Sequence, residues 1–171
     1  MIATPIFKEI QKFRQWWLWL LLVYVAGDVL WITFKTLRAN ETFTLESTGT
    51  PLLLLLIPII AMLFILSAKL ETEITGAGIY VRFFPIHRRF RFYPWSIIDQ
   101  AYVRTYKPLL EYGGWGLRGL GSKRAINVSG NKGLQLVLQN GDRLLIGTRR
   151  MQEVEAVLTS IDKLTPVNTS L

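Results

Sequence analysis

Apolar positions fall into two regimes along the chain: unbroken runs up to about Ala68, and alternation with polar residues beyond it. The run Pro51–Ala68, PLLLLLIPIIAMLFILSA, is uncharged and about as long as a helix must be to cross the hydrocarbon core of a bilayer. An earlier run, Trp16–Phe34, carries Trp16, Trp17 and Trp19 at one end and Trp31 at the other, as aromatic belts at two headgroup levels require. Residues 35–50, between the two runs, are polar and turn-rich and read as a connecting loop. The pair predicts a transmembrane helical hairpin over residues 16–68, with Pro58 kinking the second helix. Ahead of it, Thr4 and Pro5 suit a helix start, and Ile6, Ile10, Phe13 and Trp17 share one helical face. Residues 1–15 are therefore expected to form an interfacial amphipathic helix.

From Lys69 the period shortens to two, the signature of half-buried strands. Leu70 to Thr75 and Ile79 to Phe84 read as a strand pair around Gly76-Ala77-Gly78, and Pro85 to Arg88 turns the chain again. Arg89, Phe90, Arg91, Phe92 and Tyr93 alternate basic with aromatic. That pattern predicts Phe90 and Phe92 inside and the arginines in solvent. A further strand lies within Ile97 to Tyr106, ended by Pro108. Gly133 to Gln139 and Asp142 to Gly147 form a hairpin around Asn140-Gly141, expected as a two-residue turn with positive φ. Thr148 offers a cap for a last helix with Met151, Val154, Val157 or Leu158, and Ile161 on one face. Residues 69–163 thus form a strand-rich domain, and residues 164–171 a frayed tail.

Charge adds an orientation. Half the residues are hydrophobic, yet the net charge is +8. Lys8, Lys12 and Arg14 before the first run, and the basic stretch beyond Ala68, place both flanks in the cytoplasm and the loop outside. The expected location is the inner, cytoplasmic membrane, multi-pass, with both termini cytoplasmic. With no cysteine and one histidine, thiolate chemistry, disulfides and most zinc sites are excluded. No catalytic, metal or cofactor residues are assigned. Glu71 and Glu73 read as the solvent face of a strand, and His87 as a surface histidine. Asp28 is the one acid in either run, a position that invites a proton-relay or ion-site role but lies near enough to the segment's end to reach a polar partner.

The candidate binding residues are Tyr112, Gly113, Gly114, Trp115, Arg118, Lys123 and Arg124, in and beside the stretch YGGWGLRGLGSK. Its glycines permit tight folding or close approach, while Trp115, Leu117 and the basic residues combine apolar insertion with anion contact. A structural loop, a protein-contact loop and a lipid-headgroup loop remain open as readings. Gly114 to Gly119 matches G-x-G-x-x-G in letters, but a dinucleotide site also needs a preceding strand, a following helix and a later acid. Trp16, Trp17, Trp19 and Trp31 are the expected membrane-interface residues.

Glu111-Tyr112-Gly113-Gly114-Trp115-Gly116-Leu117-Arg118, then Ala125 to Asn131, then Leu144 to Thr148, resemble a family of bacterial membrane-anchored pleckstrin-homology-like proteins over roughly residues 69 to 160. The resemblance implies an α+β membrane protein: a transmembrane helical hairpin followed by a split β-barrel of about seven strands, capped by a C-terminal helix. It implies no catalytic residues. The expected function is a non-enzymatic, membrane-anchored binding module. The alternatives are an accessory or assembly subunit of a larger membrane complex, and an ion- or proton-coupled activity through Asp28. Expected partners are the bilayer, an integral membrane protein or a second copy of the chain, and anionic lipid; nucleic acid is not expected.

Overall fold

Alternation beyond Ala68 becomes strands, and the apolar runs become helices, in a computed structural model that describes residues 4–13, 16–39, 49–119 and 121–166. In chain order the elements are β1 (Phe7–Lys12), α1 (Trp16–Ala39), α2 (Thr50–Ser67), β2 (Lys69–Ile74), β3 (Gly78–Phe84) and β4 (Arg91–Pro94). After a single 3₁₀ turn at Trp95–Ile97 come β5 (Ile98–Thr105), α3 (Pro108–Tyr112), β6 (Gly116–Arg118), β7 (Lys123–Asn127), β8 (Lys132–Leu138), β9 (Arg143–Gly147) and α4 (Met151–Ser160). The chain divides into two units: Met1–Phe13 with Ala68–Leu171, and Arg14–Ser67.

The first unit holds two sheets that do not close into a barrel. One has the order β1-β2-β3-β4; the other has the order β5-β8-β9-β7-β6, in which β7 and β9 are parallel. Among the described residues nine strands stand where about seven were expected, and β1, β6 and β7 fall where the pattern named no strand. Leu70, Ile74, Ile79 and Val81 of the first sheet share a core with Leu134, Leu136, Leu144 and Ile146 of the second, and α4 adds Val154 and Leu158. Each such burial contributes roughly 1.5–3 kcal/mol before the entropy of ordering is counted.

Residues 7–12 correct the expected interfacial helix. They form a strand antiparallel to β2, from Phe7 opposite Ile74 to Lys12 opposite Lys69. The residues it buries are Phe7, Glu9 and Gln11, while Ile10 is exposed. Both polar side chains have partners far along the chain. Gln11 Nε2 donates to the Gly147 carbonyl at 2.7 Å. The Glu9 carboxylate accepts from the Thr148 hydroxyl at 2.6 Å and from the Arg149 N–H at 2.9 Å. The first unit therefore begins before the helices and resumes after them.

A second correction concerns Phe92. It is 42% exposed, whereas Tyr93 is 8% exposed. The cause is register: β3 turns Ile79 and Val81 inward, and these face Tyr93 and Arg91 of β4, so Phe92 falls opposite the outward Tyr80. Tyr80 and Phe92 stack with centroids 4.4 Å apart, and the Arg82 guanidinium lies 4.5 Å over Phe90.

The β8–β9 turn is also wider than two residues. Only Gly141 has positive φ, the Gly141 N–H donates to the Leu138 carbonyl, and the Leu138 N–H donates to that of Asp142. These bonds close a three-residue loop with a bulge. At the C-terminus, the Thr165 N–H donates to the Ala101 carbonyl at 2.8 Å, so the expected tail is anchored at its start; residues 167–171 lie outside the described ones. The Thr148 hydroxyl accepts from the Arg150 N–H at the entrance to α4, whose N-cap is Arg150.

In the second unit, α1 runs five residues beyond Phe34, taking part of the expected loop; residues 40–48 lie outside the described ones. Pro58 lies inside α2. Among the described residues α1 alone is long and apolar enough to cross a membrane, and the described apolar stretch Leu53–Ser67 is shorter. Trp16, Trp17 and Trp31 are exposed, Trp19 is partly so, and Lys35 lies 5.4 Å over the Trp31 ring. Asp28 is exposed and meets the Tyr24 hydroxyl one turn earlier on its own helix.

Acid sensitivity follows from Glu71. Burial pushes its carboxyl up, but hydrogen bonds and charge from Lys69 and Arg82 outweigh burial and hold it below the ordinary 4.5. A carboxylate depressed in the folded state stabilises the fold above its unfolded pKa, and this contribution disappears as pH falls through the folded value. Glu71→Gln is expected to lower the urea midpoint at neutral pH, with the difference from wild type shrinking as pH falls below 4.5 and through the folded value. A difference that persists unchanged in acid would show that packing, not charge, is responsible.

Candidate functional site

The glycine-rich stretch is a folded edge. Tyr112 ends α3, Gly113 caps it at φ +70°, and β6 follows, paired antiparallel with β7. Asn127 holds this turn: its Oδ1 accepts from the Gly116 N–H at 2.8 Å, and its Nδ2 donates to the Tyr106 hydroxyl at 2.8 Å. Trp115 Nε1 donates to the Gly130 carbonyl at 2.9 Å, and Arg118 Nε donates to the Trp115 carbonyl at 2.9 Å. Gly119 is required by its φ of +82°, and a Cβ there would overlap the Lys123 carbonyl oxygen. A helix precedes Gly114 and a strand follows it, the reverse of a dinucleotide-binding turn.

Strand alternation then divides the seven candidate residues. On β7, Arg124 turns toward the space between the sheets and Lys123 to the outer face. Inside, a cleft of about 200 Å³ runs between the edge of β4 and the β6–β7 pair. His87, Arg91, Arg118 and Arg124 line it over an apolar floor of Leu117, Ala125, Ile126 and Leu144. Arg124 pairs with Asp142 at 3.3 Å. Burial and the nearby Arg91 charge hold His87 below its ordinary 6.5, so the imidazole is neutral at neutral pH.

On the outer face, α3 roofs a pocket of about 360 Å³. Arg104 is engaged there by Gln135 at 3.1 Å, Glu111 at 2.8 Å and the Tyr112 hydroxyl at 3.3 Å. Lys123 and Arg143 are opposite one another on parallel strands, and among the described residues neither makes an ion pair.

The structure thus brings Arg118 and Arg124 together, sends Tyr112 and Lys123 to the opposite face, and commits Gly113, Gly114 and Trp115 to holding the turn. Sequence reading missed Arg91 and His87 as cleft residues, and Arg104 and Arg143 as outer-face residues. The signal for the division was present in the adjacent pair Lys123-Arg124 on a strand. Among the described residues, no group of three His, Cys, Asp or Glu side chains is placed to hold a metal ion.

Fold and site together define an α+β protein whose two open sheets share a core and leave a basic cleft between the edge of β4 and the β6–β7 pair. No protein-family model and no curated protein matches the chain.

Proposed function

We propose that the protein is a non-enzymatic binding module, anchored in the bacterial cytoplasmic membrane. It presents its two-sheet unit, read as an open pleckstrin-homology-like fold, to an anionic partner at that membrane, lipid or protein. The observation that carries this reading is the pairing of β1 with β2. Strands sharing hydrogen bonds lie on one side of a membrane, yet α1 and α2 intervene between these two. The chain therefore crosses an even number of times between Phe13 and Ala68. With α1 crossing once, α2 is the return; its 18 residues rise about 27 Å, a shortfall that slight bilayer thinning absorbs.

Charge supports both side and partner. The sheet unit carries seventeen Lys and Arg against nine Asp and Glu, whereas residues 14–67 carry three of each. The whole net charge thus belongs to the unit placed on the cytoplasmic side. Each basic residue near an anionic leaflet contributes about 1 kcal/mol, and tethering raises the effective concentration of any membrane partner without tight intrinsic affinity.

The test is gentle solubilisation of the tagged full-length protein from its native membrane, followed by mass spectrometry of the purified particle. Retention in carbonate-washed membranes, with a stoichiometric protein or an enriched anionic lipid in the particle, is the expected result. Release by carbonate, or a particle with neither companion, overturns the reading.

A further inference from the structure

We propose that the inter-sheet cleft is a binding site for a compact phosphate-type oxyanion, held by Arg124, His87, Arg91 and Arg118. The inference rests on the reading of the sheet unit as a binding module and names what that module takes. Two atoms lead to it. Arg124 Nε and His87 Nδ1 are both buried, both lack a hydrogen-bond partner, and both belong to residues lining this one cleft. Buried polar atoms are nearly always satisfied, and two orphans in residues of one cleft are accounted for by a partner that serves both.

The surroundings fix its chemistry. Arg91 comes from the edge strand of the first sheet and Arg124 from β7 of the second, while Arg118, whose Nε donates to the Trp115 carbonyl, lines the cleft from β6. Among the described residues the carboxylate against them is Asp142, which accepts from Arg124 Nη2 and from Asn140 Nδ2 at 3.1 Å, leaving Arg124 Nε without a partner. The partner must therefore accept hydrogen bonds and carry negative charge, which guanidinium recognises in phosphate through paired N–H donors. At about 200 Å³ the cleft holds one tetrahedral oxyanion and a few waters of about 30 Å³ each.

The chain has a single histidine, His87, so imidazole ¹⁵N resonances of histidine-labelled protein report on this cleft without ambiguity. The experiment uses the full-length chain, purified without a histidine tag, in phosphatidylcholine nanodiscs. One arm titrates inorganic phosphate at constant ionic strength; the other replaces part of the lipid with phosphatidic acid and adds no phosphate. A saturable His87 shift in the first arm identifies a soluble phosphate ligand, and a shift in the second alone identifies a headgroup; either supports the site. Arg124→Gln and, separately, the exposed Arg91→Gln are each expected to weaken binding at least tenfold, while Lys123→Gln on the opposite face leaves it unchanged. No shift in either arm, a shift that chloride reproduces, or equal loss with Lys123→Gln overturns the proposal. If a partner co-purifies while His87 stays silent, the binding-module reading stands and only this ligand falls.

Discussion

A chain in which residues 14–67 are replaced by Asn-Gly is expected to give a water-soluble protein that melts cooperatively. Lys12 and Lys69 are already opposite one another in the β1–β2 ladder, so Phe13 and Ala68 are the next positions, and a tight turn closes such a pair. Phe13 keeps its edge-on contact with Phe83, with centroids 6.3 Å apart. A chain beginning at Ala68 is expected to fail the same assay. It loses the strand that covers β2, and it strips partners from the Gly147 carbonyl, the Thr148 hydroxyl and the Arg149 N–H. Dispersed amide NMR spectra and thermal melts of both proteins decide the matter. Equal stability of the two would show that β1 is an ornament of the sheet rather than part of its fold.

Glu9→Ala in the full-length protein is expected to cost about 2–4 kcal/mol, read as a lower denaturation midpoint of the sheet unit. The carboxylate is 6% exposed and accepts two hydrogen bonds, and its removal strands both donors next to the start of α4. The neighbouring Lys8 gives the control. Its ion pair with Glu73, at 2.7 Å, lies at the surface, so Lys8→Ala is expected to leave the midpoint nearly unchanged. A Glu9→Ala loss as small as that of Lys8→Ala would mean that the ladder alone holds β1.

These expectations concern the part of the fold least legible in the sequence. β2, β3, β8, β9 and α4 were readable because their apolar residues face the core and their turns carry glycine or asparagine. β1 was not, because its inward residues include Glu9 and Gln11, whose partners are more than 130 residues away. Its outward Ile10 instead completed a false helical stripe with Ile6 and Phe13. Phe92 misled in a similar way: aromatic character argues for burial, but the alternation of β3 sets the register of β4. At the site, Arg118 and Arg124 were visible as basic residues beside glycines. Their company was not, since His87 and Arg91 arrive from a different sheet.

The β1–β2 pairing also sets an order of events on the ribosome. β1 is made first but has no partner until α1, α2 and then Lys69–Ile74 have followed it. On the proposed topology the helices are integrated while the N-terminal segment waits on the side where synthesis occurs, and Lys8, Lys12 and Arg14 resist its passage across the bilayer. Glu9 then waits longer still, for Thr148 and Arg149, near the end of translation. Closure of the sheet unit is thus a late step, and a ribosome stalled before β9 holds a protein whose two long helices are complete and whose first strand is still unclamped.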